Sequence, residues 1–424
     1  MRTALARMPA RVFYGWWIVL GAFLLRGLGE GLLFHSFGAY FVHLQAEFGW
    51  SRTSLAGAAS LGRIEGGFLG PLQGWLINRV GSQTVLRAGV VVLAVGFLLF
   101  SRVDSLASFY LTYLVIALGS SLCGFLTINL ALANWFERRR ALAMSLGGTG
   151  SALAGLIVLG VAWALDSFGW RGASALSALV MVLVGLPAAQ LFRHAPEPYG
   201  LVPDGMPNDA AQMPAAAGVG WHPGGFTARE ALRTPAFWLL CLGHSSALVA
   251  VSAMMVHLIP YLVQQANMSV QTAAGVVTLI TIASTGAHVV AGILGDRLDK
   301  RLIAFACMGG HTIALVLLVA ADSIALVVAF ALLHGVAWGI RGPLMMALRA
   351  DYFGRRSLAT IEGFASLLTM LGVVSGPLVA GFMADQMGDY RVGFLVLAGV
   401  TAIGSLFFAA ARKPAPPTPF TTRL

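Results

Sequence analysis

The chain has 424 residues, of which 58% are hydrophobic and only 10% charged, with a formal net charge of +10 at pH 7. Soluble domains typically carry about 25% charged residues, so this composition excludes an ordinary soluble globular protein. Cys123, Cys241 and Cys307 all fall in apolar stretches, with neither metal-ligand spacing nor a disulfide framework, and no metal or cofactor is expected.

After a basic start (Arg2, Arg7, Arg11), twelve apolar spans of about the 20 residues that cross a bilayer can be drawn. They fall at 12–41, 53–78, 82–101, 106–133, 140–165, 171–192, 236–264, 270–294, 302–320, 323–349, 357–384 and 391–411. The first is too long and glycine-broken for a cleaved signal sequence, and no small-residue cleavage site closes it. Tyr14, Trp16 and Trp17 read as its interfacial belt. The expected fold is all-α and integral to the membrane, with 12 transmembrane helices in two six-helix pseudo-repeat halves. Residues 1–192 form the N-terminal six-helix bundle, 193–235 a cytoplasmic central loop, 236–411 the C-terminal six-helix bundle and 412–424 a cytoplasmic tail. The loop, rich in Pro, Gly and Ala, reads as a flexible linker, and Thr227 with Glu230 has capping-box spacing just before the seventh span. With both termini in the cytoplasm, most Lys and Arg lie on the cytoplasmic side, and Arg52, Arg102, Arg171 and Arg391 lie outside. That asymmetry is the positive-inside pattern. The positive charge is therefore a topology signal rather than a nucleic-acid footprint. A multi-pass protein of the cell membrane is expected, a bacterial inner membrane in particular, with the lipid bilayer as its surroundings and a monomer as its working unit.

The chain also repeats itself. NWFERRR at 134–140 returns as DYFGRRS at 351–357, and GWLINRVG from Gly74 returns as GILGDRLD from Gly292. Charged turns recurring at matching places in two apolar halves are the mark of a secondary transporter. The second pair resembles the signature of the major facilitator superfamily, a Gly-x-Leu-x-Asp-Arg turn after the second and eighth helices. Gly292, Leu294, Asp296 and Arg297 match it, and Gly74, Leu76 and Arg79 match with Asn78 in place of Asp. A finer resemblance, to monocarboxylate transporters and the bacterial oxalate–formate exchangers, rests on FYGWWIVLGAF at 13–23, NWFERRRALAMSLGGTGSALAG at 134–155, FGWRG at 168–172 and YGLVPDG at 199–205. It implies a carrier of small organic anions, working by proton symport or anion exchange. The Asp–Arg pair of that family's eighth helix falls on Ser284 and His288 here, and its first-helix lysine falls near Phe34 and His35.

Charges inside the spans point to function. On insertion scales each costs about 2.5–3.5 kcal/mol at a helix centre, so they must pair or face water. Arg26 and Glu30 are four apart and can pair, whereas Arg63 and Glu65 are two apart and cannot. Together they are expected to form a midplane cluster between the first two helices, read either as a neutral pin or as a site where Glu30 or Glu65 carries a proton. Arg341, in the tenth span, offers a fork of donors to a carboxylate and is the expected substrate anchor. Arg26, Asn129, His257 and His288 are the other expected substrate contacts. Of the histidines in the second half, His244, His311 and His334 read more simply as helix contacts. Asn78, Arg79, Arg138, Arg139, Asp296, Arg297, Arg349, Asp351, Arg355 and Glu362 form the expected gate, which ties the halves together on the cytoplasmic side.

No P-loop points to ATP drive, and no catalytic cluster points to an enzyme. The preferred reading is a secondary active transporter of a monocarboxylate-like anion, coupled to a proton or a counter-anion and working by alternating access. The alternatives are a proton-driven exporter of amphipathic small molecules and a transporter-like membrane sensor.

Overall fold

Local sequence marks five of the twelve membrane-helix starts. Ser51, Ser105, Thr234, Ser269 and Asp299 each accept a hydrogen bond from the first turn that follows, filling the donors a helix start leaves open. Ten of the resulting stretches are long and apolar enough to cross a membrane. Two physical facts raise the count to twelve. The helix Arg52–Val80 carries Arg63 and Glu65 at its middle and is less apolar than the rest. The stretch Leu142–Gln190 is two helices, because Gly169 takes φ 67° and turns the chain back, a conformation only glycine adopts cheaply.

A computed structural model of the chain describes residues 13–136, 139–205, 225–354 and 357–415. The membrane helices are α1 (Gly15–Phe48), α2 (Arg52–Val80), α3 (Ser82–Phe100), α4 (Leu106–Trp135), α5 (140–168), α6 (170–190), α7 (Pro235–Gln264), α8 (Val270–Arg297), α9 (Lys300–Val319), α10 (Ile324–Phe353), α11 (Leu358–Met387) and α12 (Arg391–Ala410). A short helix, Ala228–Leu232, opens with a capping box between Thr227 and Glu230 and leads into α7. Several helices are interrupted, among them α5 at Thr149 and α6 by a π-helical segment at Met181–Gly185. In α1, residues Glu30–His35 form a π-helical segment; in α4, the helix breaks between Leu122 and Phe125. π-Segments inside helices are frequent at functional sites.

Small residues set the packing within the second half. Gly335 and Gly339 bring α10 against the backbone of α8 at Ile280 and Ser284, and Gly372 and Gly376 bring α11 against α7 at Ser245 and Val249. A Cβ at any of the four would collide with a backbone carbonyl. This is the small-xxx-small packing by which membrane helices approach closely.

The two halves meet through α1 with α7, α2 with α11, and α5 with α8. The joining hydrogen bonds run from one end to about the middle. Ser60 Oγ donates to the Val374 carbonyl at 2.9 Å, and Thr278 Oγ1 donates to the Gly155 carbonyl at 2.6 Å. At the far end, Asp385 accepts from the Arg52 N–H, the Thr53 N–H and Thr53 Oγ1 at 3.0, 2.9 and 2.7 Å. Arg52 reaches Gln264, which donates to Gln45. This latch joins α1, α2, α7 and α11. Among the described residues, every hydrogen bond between the halves lies on the latch side of the midplane, and the halves part toward the end that carries the repeated charged turns.

Candidate functional site

Where the halves part, the π-segment of α1 faces the second half. His35 meets Thr281 Oγ1 at 3.3 Å and lies against the Trp338 ring, with centroids 6.5 Å apart. This three-residue contact, from α1, α8 and α10, is the floor of the cleft. Beside it lies a recess of about 20 Å³ among Phe34, Arg63, Tyr113, Ser252 and Pro377, room for about one water.

Arg63 dominates that recess. Its guanidinium lies over the Phe34 ring, 3.8 Å from the centroid. Protein surrounds its guanidinium, yet the residue as a whole keeps exposed surface toward the cleft. No carboxylate pairs with it among the described residues, although Glu30 lies within electrostatic reach. A cation–π contact orients a guanidinium without neutralising it. The arrangement therefore presents an unspent fork of donors to an incoming anion.

One turn toward the open end, Arg26 Nε donates to Glu30 Oε1 at 3.0 Å, and Ser151 Oγ of α5 donates to Glu30 Oε2 at 2.7 Å. Arg26 also covers the Phe125 ring, which is 68% exposed where α4 resumes after its break. His288 of α8 is exposed on the opposite wall, within electrostatic reach of both Arg26 and Glu30. Asn129, one turn beyond Phe125, keeps its Nδ2 buried without a partner. Of the expected wall residues, Arg26 and His288 thus lie near one another, and Asn129 lies one turn from the Phe125 ring that Arg26 covers.

The four-charge cluster expected between α1 and α2 does not form. Arg26 and Glu30 pair within α1, Arg63 rests on Phe34, and Glu65 stands apart. Gly62 packs on Tyr113 and Ala117 of α4, and Glu65, three residues on, shares that face. Both its carboxylate oxygens are buried without a hydrogen-bond partner among the described residues.

Two expected substrate contacts are not on the cleft wall. Arg341 is 1% exposed, and its Nε and Nη1 have no partner. It lies within electrostatic reach of His244 on α7, of Cys307 and His311 on α9 and of His334 on its own helix. Because Gly335 and Gly339 dock α10 onto α8, Arg341, two residues past Gly339, points away from α8 into its own bundle. His257 is fully buried; its Nδ1 meets the Tyr390 hydroxyl at 3.2 Å and its Nε2 the Pro377 carbonyl at 2.8 Å. It pins α7 to α11 and to the start of α12 behind the latch.

The expected gate is partly rearranged. Arg349 grips Glu362 through two hydrogen bonds of 2.7 and 2.6 Å, with His244 Nδ1 at 3.5 Å, and Lys300 pairs with Asp351 at 2.7 Å. These pairs join helices of the second half to one another and do not tie the two halves together. Arg79 covers Trp75, and the Arg139 N–H donates to Asp204 at 3.4 Å. Arg297 is exposed at the end of α8. Arg138 and Arg355, with the side chains of Asn78 and Asp296, lie outside the described residues.

Sequence reasoning missed the latch and undervalued Arg63. Several residues of the motifs behind the resemblance make structural contacts. Glu47 accepts from Trp170 Nε1 and Arg171 Nη1, which clamps the Gly169 turn to α1. Arg193 lies 4.0 Å from the ring centroids of both Tyr14 and Tyr199, seating the start of the central loop.

Comparison with known proteins agrees with this architecture. Human "Monocarboxylate transporter 11" is 27% identical over 419 residues, covering 95% of this chain and 84% of the relative. Rat "Monocarboxylate transporter 13" is 28% identical over 407 residues, covering 92% and 87%. Among solved structures, a bacterial homologue of the human lysosomal transporter Spinster, in an inward-facing and occupied conformation, superposes with a TM-score of 0.71 at 16% identity, covering 95% of this chain and 97% of that one. A point mutant of the nucleoside transporter NupG superposes at 0.74 and 14%, covering 95% and 100%. The family model of the Major Facilitator Superfamily matches residues 19–310 and 247–423, and the chain, a multi-span membrane protein, belongs to that superfamily of transporters.

Proposed function

We propose that this chain is a secondary active transporter of small organic anions of the monocarboxylate type. The observation that carries this reading is Arg63, an exposed arginine beside the floor of the cleft between the halves, with no acid paired to it among the described residues. Arg26, Asn129 and His288 line the approach to it, and the length of the monocarboxylate transporter relatives matched supports the same substrate class.

Residues 1–192 and 236–411 act as two bodies joined by the 193–235 loop. Both termini and the repeated charged turns are cytoplasmic, so the state described is inward-facing and the latch closes the outer end. Substrate enters between the open ends, and its carboxylate takes the unspent donors of Arg63. That contact relieves an uncompensated cation and favours closure of the charged turns, with Arg79, Arg138, Arg139, Asp296, Arg297 and Arg355 forming the inner gate. Opening outside then requires the Asp385 latch to break. Glu65 is the proton-coupling candidate, because proton binding changes a buried carboxyl without partners most; Glu30 is already engaged by Arg26 and Ser151.

The test is uptake into reconstituted vesicles of a panel of labelled carboxylates, each beside its uncharged amide, with and without a pH gradient. Saturable uptake of carboxylates but not amides is expected. Uptake of amphipathic neutral compounds without carboxylate transport would overturn the reading in favour of an exporter.

A further inference from the structure

A feature remote from the cleft is left unused by transport. A groove of about 460 Å³ runs along α9 and α10 on the outer surface of the second half, lined by Leu298, Leu302, Ala306, Gly310, Val336 and Ile340. At the charged-turn end it adjoins a second pocket of about 510 Å³ that shares Leu298 and Asp299 with it. This one is polar, walled by Lys300, Arg301, Arg412 and Lys413 against Asp299 and Asp351. Lys300 is spent on Asp351 at 2.7 Å, and Arg301 lies 4.0 Å from Asp299. Arg412 and Lys413, just past α12, are exposed and make no ion pair among the described residues. Four cations against two acids leave the mouth with two uncompensated positive charges.

The dimensions select the occupant. From Leu298, just before α9, the groove follows α9 from Lys300 to Gly310, nearly three turns and about 15 Å at 1.5 Å per residue. Half of a bilayer's hydrocarbon core is about 15 Å. An acyl chain of one leaflet therefore fits the groove while its headgroup lies in the basic mouth. Lys and Arg near a membrane surface attract anionic headgroups, and the surplus charge favours an anionic over a zwitterionic one.

We propose that α8, α9, α10 and the start of the C-terminal tail form a binding site for an anionic phospholipid of the leaflet at the charged-turn end. The acyl chain fills the α9–α10 groove, and the phosphate is held by Arg412 and Lys413. A bound lipid ties the end of α12 to α9 and α10.

The test uses the full-length chain in a mild detergent, with the thermal unfolding midpoint as readout. Phosphatidylglycerol, phosphatidylcholine and glycerol 3-phosphate are added separately to wild type, to the Arg412→Gln/Lys413→Gln double variant and to Val336→Trp, which fills the groove from an exposed position. The proposal expects phosphatidylglycerol to raise the wild-type midpoint, glycerol 3-phosphate and phosphatidylcholine to leave it unchanged, and the phosphatidylglycerol effect to fall at least threefold in both variants. An equal rise with phosphatidylcholine, an equal rise with glycerol 3-phosphate alone, or full retention of the effect in both variants would overturn it. Failure of carboxylate uptake would leave these midpoints untouched, so the site stands or falls apart from the transport reading.

Discussion

The two halves share a fold and a repeated turn but place their intramembrane cations differently. In the first half, Arg26 and Arg63 project between the halves, one paired with Glu30 and one resting on Phe34. In the second, Arg341 is 1% exposed inside its own bundle among His244, His311 and His334. His311 and His334 meet at 3.1 Å, each with a buried Nε2 that has no partner. In the proposed reading the first half therefore carries charge to the substrate, while the second keeps most of its polar groups to itself and contributes His288, exposed on α8. The two halves are similar frames, and the proposed specificity lies in what only one of them exposes.

The strongest way to break this comparison is at Arg63. Hydrogen bonds to a charged group are worth about 1.5–3 kcal/mol, and 1.4 kcal/mol is a tenfold change. Arg63→Gln should therefore weaken carboxylate affinity about ten- to a hundredfold in vesicle uptake, with Arg63→Lys intermediate. Next comes the latch. Asp385 caps the start of α2 from the opposite half, and loss of a cap of this kind costs about 1–2 kcal/mol. Asp385→Ala should shift the inward–outward balance about five- to thirtyfold toward outward. Labelling of a single cysteine placed beside the latch reads this directly, and an unchanged labelling rate would show that the contact does not hold the outer end.

A subtler expectation concerns Glu65. Glu65→Gln removes a proton site without changing shape, so the pH dependence of uptake should flatten while transport at the wild-type optimum persists. If the profile is unmoved in Glu65→Gln but flattens in Glu30→Gln, coupling belongs to the α1 pair. The smallest effect is expected at Arg341. Replacing buried ionic groups by apolar ones of similar volume is often neutral or stabilising. Arg341→Met should fold, raise or leave unchanged the melting midpoint, and alter substrate affinity by less than about threefold.

Some of this was legible in the sequence, and the rest was not, for physical reasons. The Arg26–Glu30 pair and the divergence of Arg63 from Glu65 follow from helical spacing alone. Glu362 was correctly grouped with Arg349, because both lie near the same ends of neighbouring spans. The direction of Arg341 could not be read from spacing within α10. It depends on which face carries Gly335 and Gly339 against α8, a tertiary choice. His257, expected as a substrate contact, instead has both nitrogens taken by Pro377 and Tyr390 from elsewhere in the second half. The latch joins Arg52 and Thr53 to Asp385 across more than 300 positions and between halves, beyond the reach of any local pattern. The family-like motifs were easy to see because they secure turns and helix ends, and so say more about fold than about substrate.

The central claim is that the first half, through Arg63, recognises the anionic group, and one titration tests it most directly. Equilibrium binding of a labelled monocarboxylate and of its amide is measured side by side for wild type, Arg63→Gln and Arg341→Met. The account predicts that wild type and Arg341→Met prefer the carboxylate by about tenfold or more, and that Arg63→Gln loses the preference. Retained discrimination in Arg63→Gln together with its loss in Arg341→Met would contradict the account and return recognition to the second half.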